Sequence, residues 1–223
     1  VDKAEVEKEL AYTVNAIAVG ELARVSKQLA IPLITFSTDY VFSGNASTPY
    51  LPDTLVEPVN YYGETKAVGE QLALAANEAT IIIRTSWVFS SHGNNFVKTM
   101  LRLMQEKESL NIVGDQKGRP TYARDLALAT IKILEYLNAG KEIRGIYHYA
   151  NSGETTWFSF AEKIKEIAGL NCLINSITTD KFPTQAKRPA YSVLDTHKIE
   201  ADLCIQIPHW ENALQECYQK LKA

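Results

Sequence analysis

The chain has 223 residues, 46% of them hydrophobic and 22% charged, and a formal net charge of −3 at pH 7. Such a chain is long enough to bury a real core, and it offers no basic cluster that would argue for a nucleic-acid partner. Cys172, Cys204 and Cys217 have no paired spacing, and His92, His148, His197 and His209 stand apart, so neither a disulfide framework nor a metal site is expected. No signal peptide and no apolar run of membrane-spanning length is read, and the expected location is the cytoplasm.

In chain order, apolar residues at Leu10, Val14, Ile17, Leu22, Val25 and Leu29 predict a long helix over Glu5–Leu29. Ile31–Thr38 is a continuous apolar run behind Pro32, the pattern of a strand buried on both faces. Gly44–Pro58 is rich in Gly, Asn, Ser, Thr and Pro and reads as a loop. A helix over Tyr62–Ala76 precedes a second buried strand, Thr80–Val88. Further on come a helix over Phe96–Glu106, a short strand over Leu110–Val113, a helix over Arg124–Leu137 and a strand over Gly145–Ala150. Thr155-Thr156 has the composition of a helix N-cap, and the helix it starts runs to Ala168. From Asn171 the pattern loosens around Pro183, Pro189 and Pro208 before a last helix from Trp210. Alternation of this kind predicts an α/β fold with a parallel sheet covered by helices, and the looser end suits a smaller C-terminal lobe.

Chemistry concentrates around Tyr62-Gly63-Glu64-Thr65-Lys66. A tyrosine and a lysine four residues apart share one face of a helix. From there the ammonium is expected to lower the phenol's pKa and make it a usable acid near neutral pH. Thr38, 24 positions before Tyr62 (62 − 38), ends a hydrophobic strand and supplies a third group. Asp39 follows it at the strand's carboxyl end, where open α/β sheets bind ligands. Trp87 sits just past Ile81–Arg84, at the expected end of the second strand. Arg84 lies inside that strand and is expected to be a paired structural arginine.

Several segments then carry a family resemblance, in order along the chain. They are Val1–Glu5, Ser37–Phe42, Asn60–Lys66 with Gly69-Glu70, Arg84–Phe89 and Asn95–Leu101. Asp115-Gln116, Gly118, Pro120-Thr121, and Arg188-Pro189 with Ser192, Leu194 and Asp195 continue it. With these the chain resembles the extended short-chain dehydrogenase/reductases, and within them the dTDP-4-dehydrorhamnose reductase family. The resemblance implies a Rossmann-like, doubly wound parallel sheet without its first strands, over residues 1–89 and 122–150, and a substrate-binding lobe over 90–121 and 151–223. It implies reduction of a nucleotide-linked 4-keto sugar by NADPH or NADH. Thr38, Tyr62 and Lys66 are the implied catalytic residues, with Tyr62 as proton donor. Tyr62, Lys66 and Ser37 would hold the cofactor, and Thr38, Asp39, Trp87, Asn95 and Arg188 the dTDP-linked substrate. Lys98 is a further candidate for its phosphates. Mg²⁺ held by glutamates at a dimer contact, and hence a homodimer, is compatible with the family, but no ligand can be assigned.

The sequence departs from the family in three places. The Gly-x-x-Gly-x-x-Gly turn that holds the cofactor pyrophosphate has no counterpart, since no glycine lies between Val1 and Gly20. The expectation is that this segment, and with it the choice between NAD and NADP, lies outside these 223 residues. Tyr191 stands where a small polar residue is expected, and Ser90-Ser91-His92-Gly93 lacks the usual Tyr-Gly pair. Two other readings compete: a non-catalytic binding subunit of the same fold, like the regulatory beta subunit of methionine adenosyltransferase, and another sugar-nucleotide reductase or epimerase.

Overall fold

The computed structural model describes residues 1–222. The chain opens with α1 (Asp2–Val6) and α2 (Lys8–Tyr12), then a π-helical turn over Thr13–Ile17 that runs into α3 (Ala18–Gln28). After β1 (Ile34–Thr38) a short 3₁₀ turn over Asp39–Val41 and a long loop lead to α4 (Tyr61–Ala76). There follow β2 (Ile81–Thr85), β3 (Val88–Phe89), α5 (Phe96–Glu106), β4 (Ser109–Val113), β5 (Lys117–Gly118), β6 (Thr121–Tyr122) and α6 (Ala123–Asn138). The chain ends with β7 (Gly145–His148), β8 (Thr155–Thr156), α7 (Trp157–Ala168), β9 (Leu173–Ile177), α8 (His197–Leu203) and α9 (Trp210–Lys222).

The main sheet has the order β1-β2-β7, parallel throughout, with Ile34 opposite Ile81, Thr38 opposite Thr85 and Ile81 opposite Gly145. Parallel neighbours need crossovers, and α4 supplies the one from β1 to β2. Two main apolar clusters form. One gathers Ile81, Ile83, Leu126, Ile133, Tyr147 and Ile199 around β2, β7, α6 and α8. The other gathers Met100, Ile112, Phe160, Ile164, Trp210 and Leu214 around α5, β4, α7 and α9. Among the described residues no helix is long and apolar enough to cross a membrane.

Four details differ from the sequence expectation. First, the apolar stripe of the opening helix points outward: Leu10, Val14, Leu22 and Leu29 are all exposed, Leu22 by 58%, while Ala16, Ala23 and Ser26 are buried. Small residues let this helix lie against α4, so the large ones take the other face. The stripe steps by 4, 3, 5, 3 and 4 residues from Leu10 to Leu29, and the π-turn absorbs the extra residue before Leu22.

Second, β1 is not covered on both faces, because Phe36 is 43% exposed. Among the described residues it is an edge strand, paired with β2 alone. Third, the strand read over Thr80–Val88 stops at Thr85, and Trp87, with φ of +47°, turns the chain toward β3. Fourth, the loose segment contains β9, which pairs in parallel with β4, and α8. A strand so dependent on a distant partner has little local signature.

Candidate active site

α4 begins where its caps allow. The Asn60 side chain accepts a hydrogen bond from the Gly63 amide at 2.8 Å, and Glu5 accepts one from the Tyr61 amide at 2.8 Å. Tyr62 is therefore in the first turn. Gly63 follows because nothing larger fits: a Cβ there would come within 2.1 Å of the Tyr40 carbonyl oxygen. This close approach sets the Tyr62 ring edge-to-face with Tyr40, with centroids 5.9 Å apart.

β1 delivers the other groups. Thr38 and Asp39 are buried at its carboxyl end, at 6% and 2% exposure. The Thr38 hydroxyl donates to Asp39 Oδ1 at 3.0 Å and accepts from the Tyr40 amide at 3.2 Å. Asp39 Oδ2 is buried without a hydrogen-bond partner. Ser192 also acts on this carboxylate, without the geometry that would satisfy Oδ2. Burial raises the Asp39 pKa to about 6, opposed first by the Thr38 hydroxyl.

Burial likewise raises the Tyr62 phenol, the Asp39 charge adds to that, and hydrogen bonding from Thr38 works against both. The expectation that Lys66 lowers this phenol is not met in the structure. The Lys66 ammonium instead donates to the Phe36 carbonyl at 2.7 Å, and burial outweighs what remains. Burial also lowers the Lys66 pKa itself, which the Glu70 carboxylate partly offsets.

Ser37, Thr38, Asp39, Tyr62 and Lys66 are thus brought together at the end of β1. Ser37 Oγ is buried and unpartnered, and Ser37 lines a small cleft with Asn15, Phe36, Lys66 and Glu70. A free hydroxyl beside a lysine at the carboxyl edge of a parallel sheet fits the ribose hydroxyls of a nicotinamide cofactor. Trp87 follows the end of the adjacent strand β2.

Arg188 reaches the same neighbourhood from the second half of the chain. Its guanidinium donates to the Tyr40 hydroxyl at 3.1 Å and to the Asp2 carboxylate at 2.5 Å. Asn95 caps α5, directly before Phe96, which packs on Trp157 and through it on Trp87. The Asn95 side chain accepts from the Lys98 amide and donates to the Ser90 carbonyl at 2.7 Å. A larger cleft of about 460 Å³, lined by Ser90, His92, Tyr122, Arg124 and Lys220, contains none of the nominated residues.

Sequence reasoning overlooked three side chains beside the site: Tyr40 against Tyr62, Asp2 holding Arg188, and Trp157 stacked on Trp87. Asp2 and Tyr40 lie inside segments that carry the resemblance, but their contacts are with residues far away in sequence. Asp115 and Gln116 both bond Thr179, so they fasten the loop after β9. Among the described residues no cluster of three or more His, Cys, Asp or Glu could hold a metal.

Known proteins resemble this chain along its whole length. A family profile described as the RmlD substrate binding domain matches residues 1–223. The spore coat polysaccharide biosynthesis protein SpsK of Bacillus subtilis is 41% identical over 220 residues, covering 99% of this chain and 75% of its own length. A dTDP-4-dehydrorhamnose reductase of Escherichia coli K12 is 39% identical over 228 residues, covering 99% of this chain and 76% of its own. The crystal structure of a dTDP-4-dehydrorhamnose reductase from Clostridium acetobutylicum superposes with a TM-score of 0.95 at 36% identity, over 100% of this chain and 78% of that one. That of the Bacillus anthracis reductase in complex with NADP gives 0.93 at 37% identity, over 99% and 76%. The chain spans about three quarters of these relatives. Profile, sequence and fold agree: the chain belongs to the RmlD substrate-binding-domain family, that of the dTDP-4-dehydrorhamnose reductases.

Proposed function

We propose that this chain serves NADPH-dependent reduction of the C4 ketone of dTDP-4-dehydro-L-rhamnose to dTDP-L-rhamnose, a step in making cell-surface polysaccharide precursors. The observation that carries the reading is the convergence of Thr38, Asp39 and Tyr62 at the carboxyl end of β1 in a member of this family. NADP in the related Bacillus anthracis structure supports NADPH over NADH.

Bound NADPH supplies the hydride that reaches C4. Tyr62 gives its proton to the ketone oxygen as the alkoxide forms, and the phenolate regains a proton from solvent. The phenol is protonated at neutral pH, and although burial makes it a weaker acid, the alkoxide at C4 is more basic than the phenolate and takes the proton. Thr38 hydrogen-bonds the same oxygen and steadies the phenol. Lys66 and Ser37 hold the nicotinamide ribose. Asp39 accepts from a sugar hydroxyl through its free Oδ2, and Trp87 covers the apolar face of the ring. Asn95 and Arg188 belong to the substrate side, Arg188 through the loop it anchors.

In this reading residues 1–89 and 122–150 serve the cofactor, and 90–121 and 151–223 the substrate. No Mg²⁺ ligands are assigned among the described residues, and no step is routed through the ion. A cytoplasmic location and a homodimeric state complete the reading, the latter tested by sedimentation of the natively expressed protein.

The test is NADPH oxidation with dTDP-4-dehydro-L-rhamnose. Tyr62→Phe should lose roughly 10²–10⁴-fold in kcat with little change in NADPH affinity. Normal turnover by that variant removes Tyr62 from the acid role. Silence of the wild-type protein with authentic substrate shifts the reading to another sugar nucleotide or to a binding subunit.

A further inference from the structure

Trp87 adopts a left-handed backbone conformation, φ +47°, that a bulky L-residue avoids unless its surroundings hold it there. Those surroundings are specific. The Trp87 and Trp157 rings stack with centroids 3.7 Å apart and planes 12° from parallel. Phe96 packs against Trp157 with centroids 4.6 Å apart. The Thr121 amide donates to the Trp87 carbonyl at 3.2 Å.

Gly118 also abuts the indole: a Cβ there would lie 2.6 Å from Trp87 Cε2, 2.7 Å from Cζ2 and 2.8 Å from Ser192 Oγ. The two indoles come from distant segments. Trp87 follows β2, in the main sheet, whereas Trp157 opens α7, whose Phe160 and Ile164 lie in the other apolar cluster. Antiparallel pairing of β5 with β8 sets Gly118 opposite Thr155, two residues before Trp157, which registers the stack. Thr156 fixes the start of α7 by accepting from the Ser159 amide at 3.1 Å.

We infer that Trp157 is a positioning residue, whose ring face locks the strained Trp87 so that its indole forms a rigid wall of the sugar pocket. Trp157 acts through Trp87 and not on the substrate. The wall runs from Trp87 past Gly118 to Ser192, which faces Asp39, so it joins the polar side of the pocket. Free rotation of Trp87 would give the hexose a movable contact, and sugar binding would bear the ordering cost. The inference rests on the reductase reading above.

Two readouts test it separately. Stacked indoles sit in each other's ring current, so the Trp87 ring protons of the wild-type protein should resonate well upfield of ordinary tryptophan positions. Trp157→Leu should abolish that upfield shift, and Trp157→Phe should leave part of it. In the reductase assay Trp157→Leu should raise KM for the sugar nucleotide by roughly tenfold, the scale of a small misplacement, with kcat and the NADPH KM nearly unchanged. Trp157→Phe, which keeps an aromatic face, should return that KM to within about threefold of wild type.

Equal KM values for the leucine and phenylalanine variants overturn the inference, as does a parallel fall in all constants. Should the leucine variant fail to fold, Gly118→Ala pushes on the same indole from β5 and must raise the same KM; no change overturns the inference. Wild-type silence in the assay sinks the reductase reading and not the stack. Trp87 ring protons at ordinary, unshifted positions sink the stack whatever the activity.

Discussion

Tyr62 and Asp39 show how burial overrides spacing. A lysine four residues after a tyrosine predicts a lowered phenol, yet desolvation of the phenolate and the nearby Asp39 charge win. Asp39 carries the larger consequence. Its unfolded value is near 3.8 and its folded value about 6, so the folded state holds the proton more tightly. The associated stability is fully present below about pH 3.8 and is lost as pH rises through 6. At neutral pH the buried charge then costs the fold about 3 kcal/mol. Asp39→Asn is expected to stabilise the protein against urea by on the order of 1–3 kcal/mol at pH 7.5, a gain that shrinks toward zero near pH 4. The same variant should lose activity at pH 7.5. A stability difference that is equal at the two pH values would contradict the assignment.

At the scale of elements, α4 must be held in register against the sheet if Tyr62 is to meet Thr38. Glu70, one turn beyond Lys66, makes a bidentate pair with Arg84 of β2, at 2.9 and 2.6 Å, with only 5% and 1% exposure. The expectation that Arg84 is a paired structural arginine agrees with this geometry. His148 of β7 lies against the same guanidinium and donates from Nδ1 to the Tyr50 carbonyl at 3.0 Å, so three elements meet there. Glu70→Ala leaves a buried guanidinium uncompensated and should destabilise by about 3–5 kcal/mol in urea unfolding. Adding Arg84→Met should recover much of that loss. If the double variant is no more stable than the single one, the pair is not what anchors α4.

At the scale of the whole molecule, the outward stripe from Leu10 to Leu29 and the open edge of β1 leave a long apolar face next to unpaired strand backbone. Prepared as these 223 residues alone, the protein is expected to bind a hydrophobic dye and sediment above its 24.9 kDa monomer mass. Leu10→Lys with Leu22→Lys should reduce both effects. A monodisperse, dye-silent wild-type chain would refute this. The alternation of helix and strand, the Tyr62–Lys66 helix and the Thr156 cap were legible in the sequence because they depend on periodicity and on neighbours within a turn. So was the family, since its motifs are short, local and in order. The outward direction of the opening helix was not legible, because a stripe reveals that one face is apolar but not what lies against it. Nor was β9, whose pairing with β4 joins residues some 64 positions apart (Asn175 − Asn111). The raised Tyr62 and Asp39 pKa values and the stack of Trp157 on Trp87 have the same cause. Desolvation and ring contact depend on which distant side chains converge, and only folding brings them to one place.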